Sequence, residues 1–243
     1  MEASEPRKQD VDLAVILESL PVTGLEVMIC LLPPSEHWEQ WVRLKEPFFK
    51  KGLRKKGREP FPHITLSQTR INARSEPTAL FGVIDAIKED VENKKESEFM
   101  LQFSLVQNFD VGKNGVVYVT SEEESTHERA LSLHKIAESA TEPLCNGKAA
   151  KSDDFTLHIG LGSVPKSKLT QIMEEYKGIV ANLESTSFTC QHIYLLVRGP
   201  TGPWKVASAI PLEGCNLSVP SIPVGTSTCL AAVVGGTDAS LAG

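Results

Sequence analysis

The chain has 243 residues, 41% of them hydrophobic, and a formal net charge of −6. That is enough apolar material for a sizeable core and too little positive charge for a general nucleic-acid coat. The five cysteines, Cys30, Cys145, Cys190, Cys215 and Cys229, are odd in number and lack C-x-x-C spacing, which argues against a zinc ribbon and points to a reducing compartment.

Residues 1–23 are read as an N-terminal extension whose first ten residues are polar rather than signal-like. No apolar run approaches the roughly 20 residues that cross a bilayer, so no membrane partner is expected. Leu25 to Leu32 is a continuous apolar run stopped by Pro33 and Pro34, the pattern of a strand buried on both faces. Ser35 is placed to cap a helix that carries Trp38, Trp41 and Val42 and gives out near Pro47. A basic block from Lys50 to Arg58 leads into the short strand PHITLS, and a helix from about Pro77 to Lys94 carries Leu80, Ile84, Ile87 and Val91 on one side.

Beyond Lys94 the order of elements repeats. Phe99, Leu101, Phe103 and Leu105 alternate along one expected strand, which turns back through GVVYVTS as a hairpin. Ser125-x-x-Glu128 reads as a capping box that opens a helix through Ala140. The strand FTLHIGL then leads to a helix through Leu169, Ile172, Met173, Tyr176 and Leu183, and TCQHIYLLV and WKVASAIPL form a last hairpin. The expected fold is α+β: residues 24–213 form two pseudo-symmetric lobes, each an antiparallel sheet with helices, about a central cleft. Residues 214–243 are small and without period and read as a mobile tail.

The chemistry concentrates in two strands. Alternation puts His63, Thr65 and Ser67 on one face of PHITLS, and Thr156, His158 and Gly160 on one face of FTLHIGL. Cleaving a phosphodiester needs one group to take a proton and another to give one, and imidazole does both near neutral pH without a metal or other cofactor. A hydroxyl two residues on can donate to a non-bridging phosphate oxygen. Ser67 is either a second such hydroxyl or the strand end. The basic residues Lys51, Arg54 and Lys55 are either a solvated surface or a track for RNA phosphates, with nuclear import a further reading. His37, His127, His134 and His192 have no metal-ligand spacing, although His192 can face the cleft from the last hairpin; Tyr194 and Trp204 read as core or cleft wall.

At these residues the sequence resembles the two-histidine (2H, LigT-like) phosphoesterase superfamily, marked by paired H-x-[ST] strands, over about Leu25 to Leu212. HITLSQT, FSLVQNF, VVYVTS and DDFTLHIGL are most similar to the U6 snRNA phosphodiesterases, nuclear enzymes that trim the 3′ end of a spliceosomal RNA. The resemblance implies that His63 and His158 are the acid/base pair and that Thr65 binds phosphate. It also implies that a 2′-hydroxyl attacks the adjacent phosphate, leaving a 2′,3′-cyclic or 3′-phosphate end.

Two positions depart from the pattern. Gly160 stands where the family has Ser or Thr, and Lys151 to Asp154 stand where the snRNA-trimming branch has a base-stacking tyrosine. The expected partner is an RNA 3′ end or a nucleotide phosphodiester, met by a monomer in the nucleus or cytoplasm. Three functions stay open: an RNA 3′-end nuclease, a 2′,3′-cyclic nucleotide phosphodiesterase, and an RNA-binding protein weakened in turnover by Gly160.

Overall fold

The apolar run after Gly24 becomes β1 (Leu25–Leu31), an inner strand buried from Glu26 onward. A computed structural model describes residues 24–50, 61–71, 77–144, 155–182, 186–200 and 203–215. The N-terminal extension and residues 216–243 of the expected tail lie outside them. β1 pairs on one side with β2 (Ile64–Ile71) and on the other with β8 (His192–Arg198), which pairs in turn with β9 (Lys205–Pro211), all antiparallel. A second antiparallel sheet has the order β4 (Leu105–Val111), β5 (Asn114–Thr120), β6 (Ile159–Pro165), and a ribbon joins β3 (Phe99–Gln102) to β7 (Ser187–Cys190).

Both faces of the first sheet are apolar. Val27, Ile29, Leu31, Ile64 and Leu66 enter the main core, while Met28, Cys30, Phe61, Tyr194 and Leu196 form a second cluster on the other face. Among the described residues four α-helices complete the α+β fold: α1 (Trp38–Lys50), α2 (Pro77–Lys94), α3 (Glu124–Thr141) and α4 (Lys166–Ala181). α2 packs on α3 and β9, and α4 packs under the second sheet.

The lobes do not divide at Lys94, because two helices cross between them. α1 follows a strand of the first sheet yet packs on β6 of the second, and α3 follows β5 yet packs on β2. Close packing drives the first crossing. Phe48 lies against Gly162, where an added Cβ would come within 2.4 Å of its ring, and tilts onto Tyr176 at 5.0 Å. Trp41 meets Phe103 edge-on at 5.5 Å.

Several sequence expectations change here. α1 runs past Pro47 to Lys50. Proline lacks the N–H that would bond the carbonyl one turn back, and next to that disturbed turn the Tyr176 hydroxyl donates to the Leu44 carbonyl at 2.8 Å. Ser35 is not a cap: Ser35–His37 form a 3-10 turn behind Pro34, with no side-chain cap bond. Glu123, not Ser125, stands at the N-cap position of α3, with no side-chain cap bond, and its carboxylate accepts from the Ser125 and Thr126 hydroxyls. The alternating stretch from Phe99 is two strands, because at Phe103 the backbone N–H turns to Thr186 and at Ser104 to Thr120, passing the chain from one sheet to another.

One irregularity occurs twice. Cys30 is opposite Thr65 and Ile29 opposite Ser67, so Leu66 is an extra residue in β2. Tyr118 is opposite Gly160 and Val117 opposite Gly162, so Leu161 is the extra residue in β6. The aligned pentapeptides HITLS and HIGLG carry the same β-bulge at the same letter.

Candidate active site

His63 and His158 each stand one residue before a strand, β2 and β6. In both cases the next residue, Ile64 or Ile159, is fully buried and anchors the backbone in the core, while the histidine is half-buried. The local bonding is also the same. His63 Nδ1 lies 3.1 Å from the Phe61 carbonyl, and His158 Nδ1 lies 2.7 Å from the Thr156 carbonyl, two residues back in each case. A carbonyl only accepts, so in each neutral ring Nδ1 carries the proton and Nε2 keeps its lone pair.

The surroundings differ. The His63 ring tilts over Phe61 at 4.6 Å. The His158 ring is edge-on to Phe109 at 5.4 Å and to Tyr118 at 5.3 Å. These two aromatics come from β4 and β5, and neither was singled out from the sequence, because only strand pairing brings them beside His158. Burial lowers the pKa of His158; the Thr156 carbonyl opposes that shift and the positive charge of Lys45 adds to it. Burial raises the pKa of the Tyr118 phenol.

Thr65 follows His63 on the same face, with its hydroxyl 3.8 Å from the Met28 sulfur. Ser67 is a correction. The bulge at Leu66 shifts its parity to that of core-facing Ile29, and its hydroxyl meets Thr141 Oγ1 at 2.9 Å. It fastens β2 to α3, away from the face of His63 and Thr65. Gly160 is half-buried beside His158, and a Cβ there would meet nothing within 4 Å. Lys51, Arg54 and Lys55 lie outside the described residues.

Of the other histidines, His134 bonds through Nδ1 to the Leu66 carbonyl and stacks on Phe155 at 4.4 Å, so α3 ties both histidine strands together. Its Nε2 is 3.3 Å from Glu138, in ion-pair range but not aligned as a hydrogen bond. His192 lines a separate recess of about 160 Å³ with Leu32, Pro34 and Tyr194, and its Nε2 is 3.6 Å from Cys215 Sγ. Tyr194 is buried, and Trp204 is half-buried under the Arg198 guanidinium at 4.4 Å. Sequence reading passed over Lys45, which is 1% exposed and donates to the Phe61 carbonyl at 3.0 Å.

Among the described residues no cluster of three or more metal-ligating side chains occurs, and no helix is long and apolar enough to cross a membrane. Solved structures with the same fold include Escherichia coli LigT without ligand, at 13% identity and a TM-score of 0.50, covering 78% of this chain and 98% of that one. LigT complexed with NADP+ matches at 11% identity and a TM-score of 0.51, with the same coverage of 78% and 98%. Usb1 of Kluyveromyces marxianus matches at 14% identity and a TM-score of 0.46, covering 79% and 100%. The curated proteins give no match. The profile of the 2′-5′ RNA ligase superfamily matches residues 33–202, and the chain, with one histidine at the head of each bulged strand, belongs to that superfamily of two-histidine phosphoesterases.

Proposed function

We propose that the chain is a metal-independent phosphodiesterase that shortens RNA from the 3′ end. The observation that carries this reading is the matched pair of histidines, each locked through Nδ1 to the carbonyl two residues back, which sets the proton on Nδ1 and the lone pair on Nε2.

The lowered pKa of His158 keeps it neutral at pH 7 and suits it to take the proton from the 2′-hydroxyl of the nucleotide before the last, whose 3′-phosphate carries the terminal nucleoside. The freed oxygen attacks the adjacent phosphorus, the bond to the 5′-oxygen breaks, and protonated His63 gives that oxygen its proton. The product is a 2′,3′-cyclic phosphate, or a 3′-phosphate once water opens the ring with the two roles reversed. The Thr65 hydroxyl and the Gly160 backbone N–H bind non-bridging oxygens, and Phe109 and Tyr118 wall the His158 side. The sequence resemblance supports a spliceosomal RNA such as U6 as substrate and the nucleus as location. Lys51, Arg54 and Lys55 would follow its phosphates.

Incubation with a short oligouridine RNA in EDTA tests the reading. Stepwise shortening is expected, and substituting either His63 or His158 by alanine should lower kcat by about 10² or more. An RNA left intact while a control nuclease acts, or full activity in either single variant, would sink it. Gly160 favours a second reading, an RNA-binding protein with little turnover, which predicts salt-sensitive binding with neither the oligomer nor a 2′,3′-cyclic mononucleotide consumed. Turnover of the cyclic mononucleotide alone would place the activity on small molecules.

A further inference from the structure

We propose that Lys45 is the positioning residue of the histidine pair: buried on α1, its ammonium holds the carbonyl that orients His63 and serves the His158 half of the site from the same place. The inference rests on the two-histidine reading above.

The geometry comes from two directions. On the His63 side, the Phe61 carbonyl accepts two donors, Lys45 Nζ at 3.0 Å and His63 Nδ1 at 3.1 Å, one for each lone pair. Holding that carbonyl holds the ring that hangs from it. On the other side, α1 crosses to β6, where Phe48 is seated on Gly162. Lys45 lies three residues before Phe48, hence on the same face of the helix and one turn along it. There its charge acts on His158. One helix therefore carries one cation that bonds the carbonyl under His63 and whose charge reaches His158.

At 1% exposure the ammonium is closed off from solvent, and it acts through the rings. Two effects follow. The Phe61 carbonyl is fixed where it keeps His63 in the Nδ1–H form. A positive charge in a poorly solvated position also disfavours protonation of His158. Among the described residues, the titratable groups that bear on His158 are Lys45 on α1, through its charge, and Tyr118 on β5, in ring contact, and burial keeps the Tyr118 phenol uncharged.

The test follows both histidines by NMR in the full chain, with and without Lys45. In the wild type, ring ¹⁵N shifts should report the Nδ1–H form for His63 and His158, and His158 should titrate below the ordinary imidazole range. Lys45→Met should raise the His158 midpoint measurably. It should also lower kcat about tenfold with KM within about twofold. Lys45→Arg, which keeps the charge, should restore most of the His158 midpoint.

An Nε2–H form for wild-type His63, or an unchanged His158 midpoint in folded Lys45→Met, would overturn the inference. Should Lys45→Met fail to fold, the wild-type tautomers and the Lys45→Arg titration still decide it, since a His158 midpoint in Lys45→Arg as high as that of a free imidazole contradicts it. Histidines that behave as expected in a protein that consumes no substrate would leave the Lys45 inference standing and remove the phosphodiesterase reading alone.

Discussion

Two glycines two residues apart in β6 have opposite tolerances. A Cβ on Gly160 would enter open space, whereas one on Gly162 would lie 2.4 Å from the Phe48 ring. Gly160→Ser should therefore keep or raise stability, by about 0.4–1 kcal/mol through the stiffer unfolded chain, and raise turnover if a missing hydroxyl limits phosphate binding. Gly162→Ala should cost about 1–3 kcal/mol by overpacking. Urea unfolding of both variants checks the contrast, and a stable Gly162→Ala would show that α1 does not bear on β6 as described.

His158 makes a second prediction. Burial first, then the Lys45 charge, lowers its pKa below the ordinary 6.5 despite the Thr156 carbonyl. The acid limb of kcat/KM should thus fall below pH 6.5, and a limb above it would count against His158 as base. The same shift makes stability decline with acid. As pH drops below 6.5 the unfolded chain takes up the proton before the folded one, and the loss levels off once folded His158 also protonates. The two histidines and Thr65 were legible as residues of one repeated pattern. Lys45, Phe109 and Tyr118 were not, since each reaches a histidine only through long-range packing.

Among the strands, one carboxylate ties three together. Glu26 on β1 receives Arg70 of β2 and both Nε and Nη2 of Arg198 on β8, with the Nε bond at 2.6 Å. Burial opposes its ionisation, but the hydrogen bonds and charges of the two arginines outweigh that and lower its pKa below 4.5. Arg70 is well exposed, so its share is screened. Glu26→Gln should cost about 1–2 kcal/mol near neutral pH. The stabilising effect is complete above the ordinary carboxylate range and fades as pH falls through the folded-state value, so the gap between wild type and variant should close in acid. Denaturant midpoints at a series of pH values read this directly, and a gap that widens in acid contradicts it.

Element types were mostly legible from period and punctuation, and their ends were not. Pro47 did not stop α1, which runs on to Lys50 with Tyr176 bonded to the Leu44 carbonyl in the adjoining turn. The alternation from Phe99 to Leu105 was read as one strand because period two carries no mark of a change of partner at Ser104. The bulges defeated strict parity in the same way. They moved Ser67 from the face of His63 to a bond with Thr141, and only the observed register reveals the extra residue.

For the molecule as a whole, the α+β class and the two antiparallel sheets follow from the strand patterns, while the crossing of α1 and α3 does not, since nothing local marks which sheet a helix will cover. The crossing makes one cooperative unit of the described fold. Calorimetry should show a single unfolding transition with calorimetric and van't Hoff enthalpies equal, and two resolved transitions would mean that the lobes melt apart.

The exchanged helices also fix how a substrate can enter. Parting the two sheets would peel α1 from β6 and α3 from β2 at once, breaking the contacts of Phe48 with Gly162 and of Thr141 with Ser67. A clamshell motion would break both seats at once, so His63 at the head of β2 and His158 at the head of β6 stand on a frame braced by the exchanged helices. On the reading proposed above, selection would fall on what slides in between the braced strands rather than on what the protein closes around.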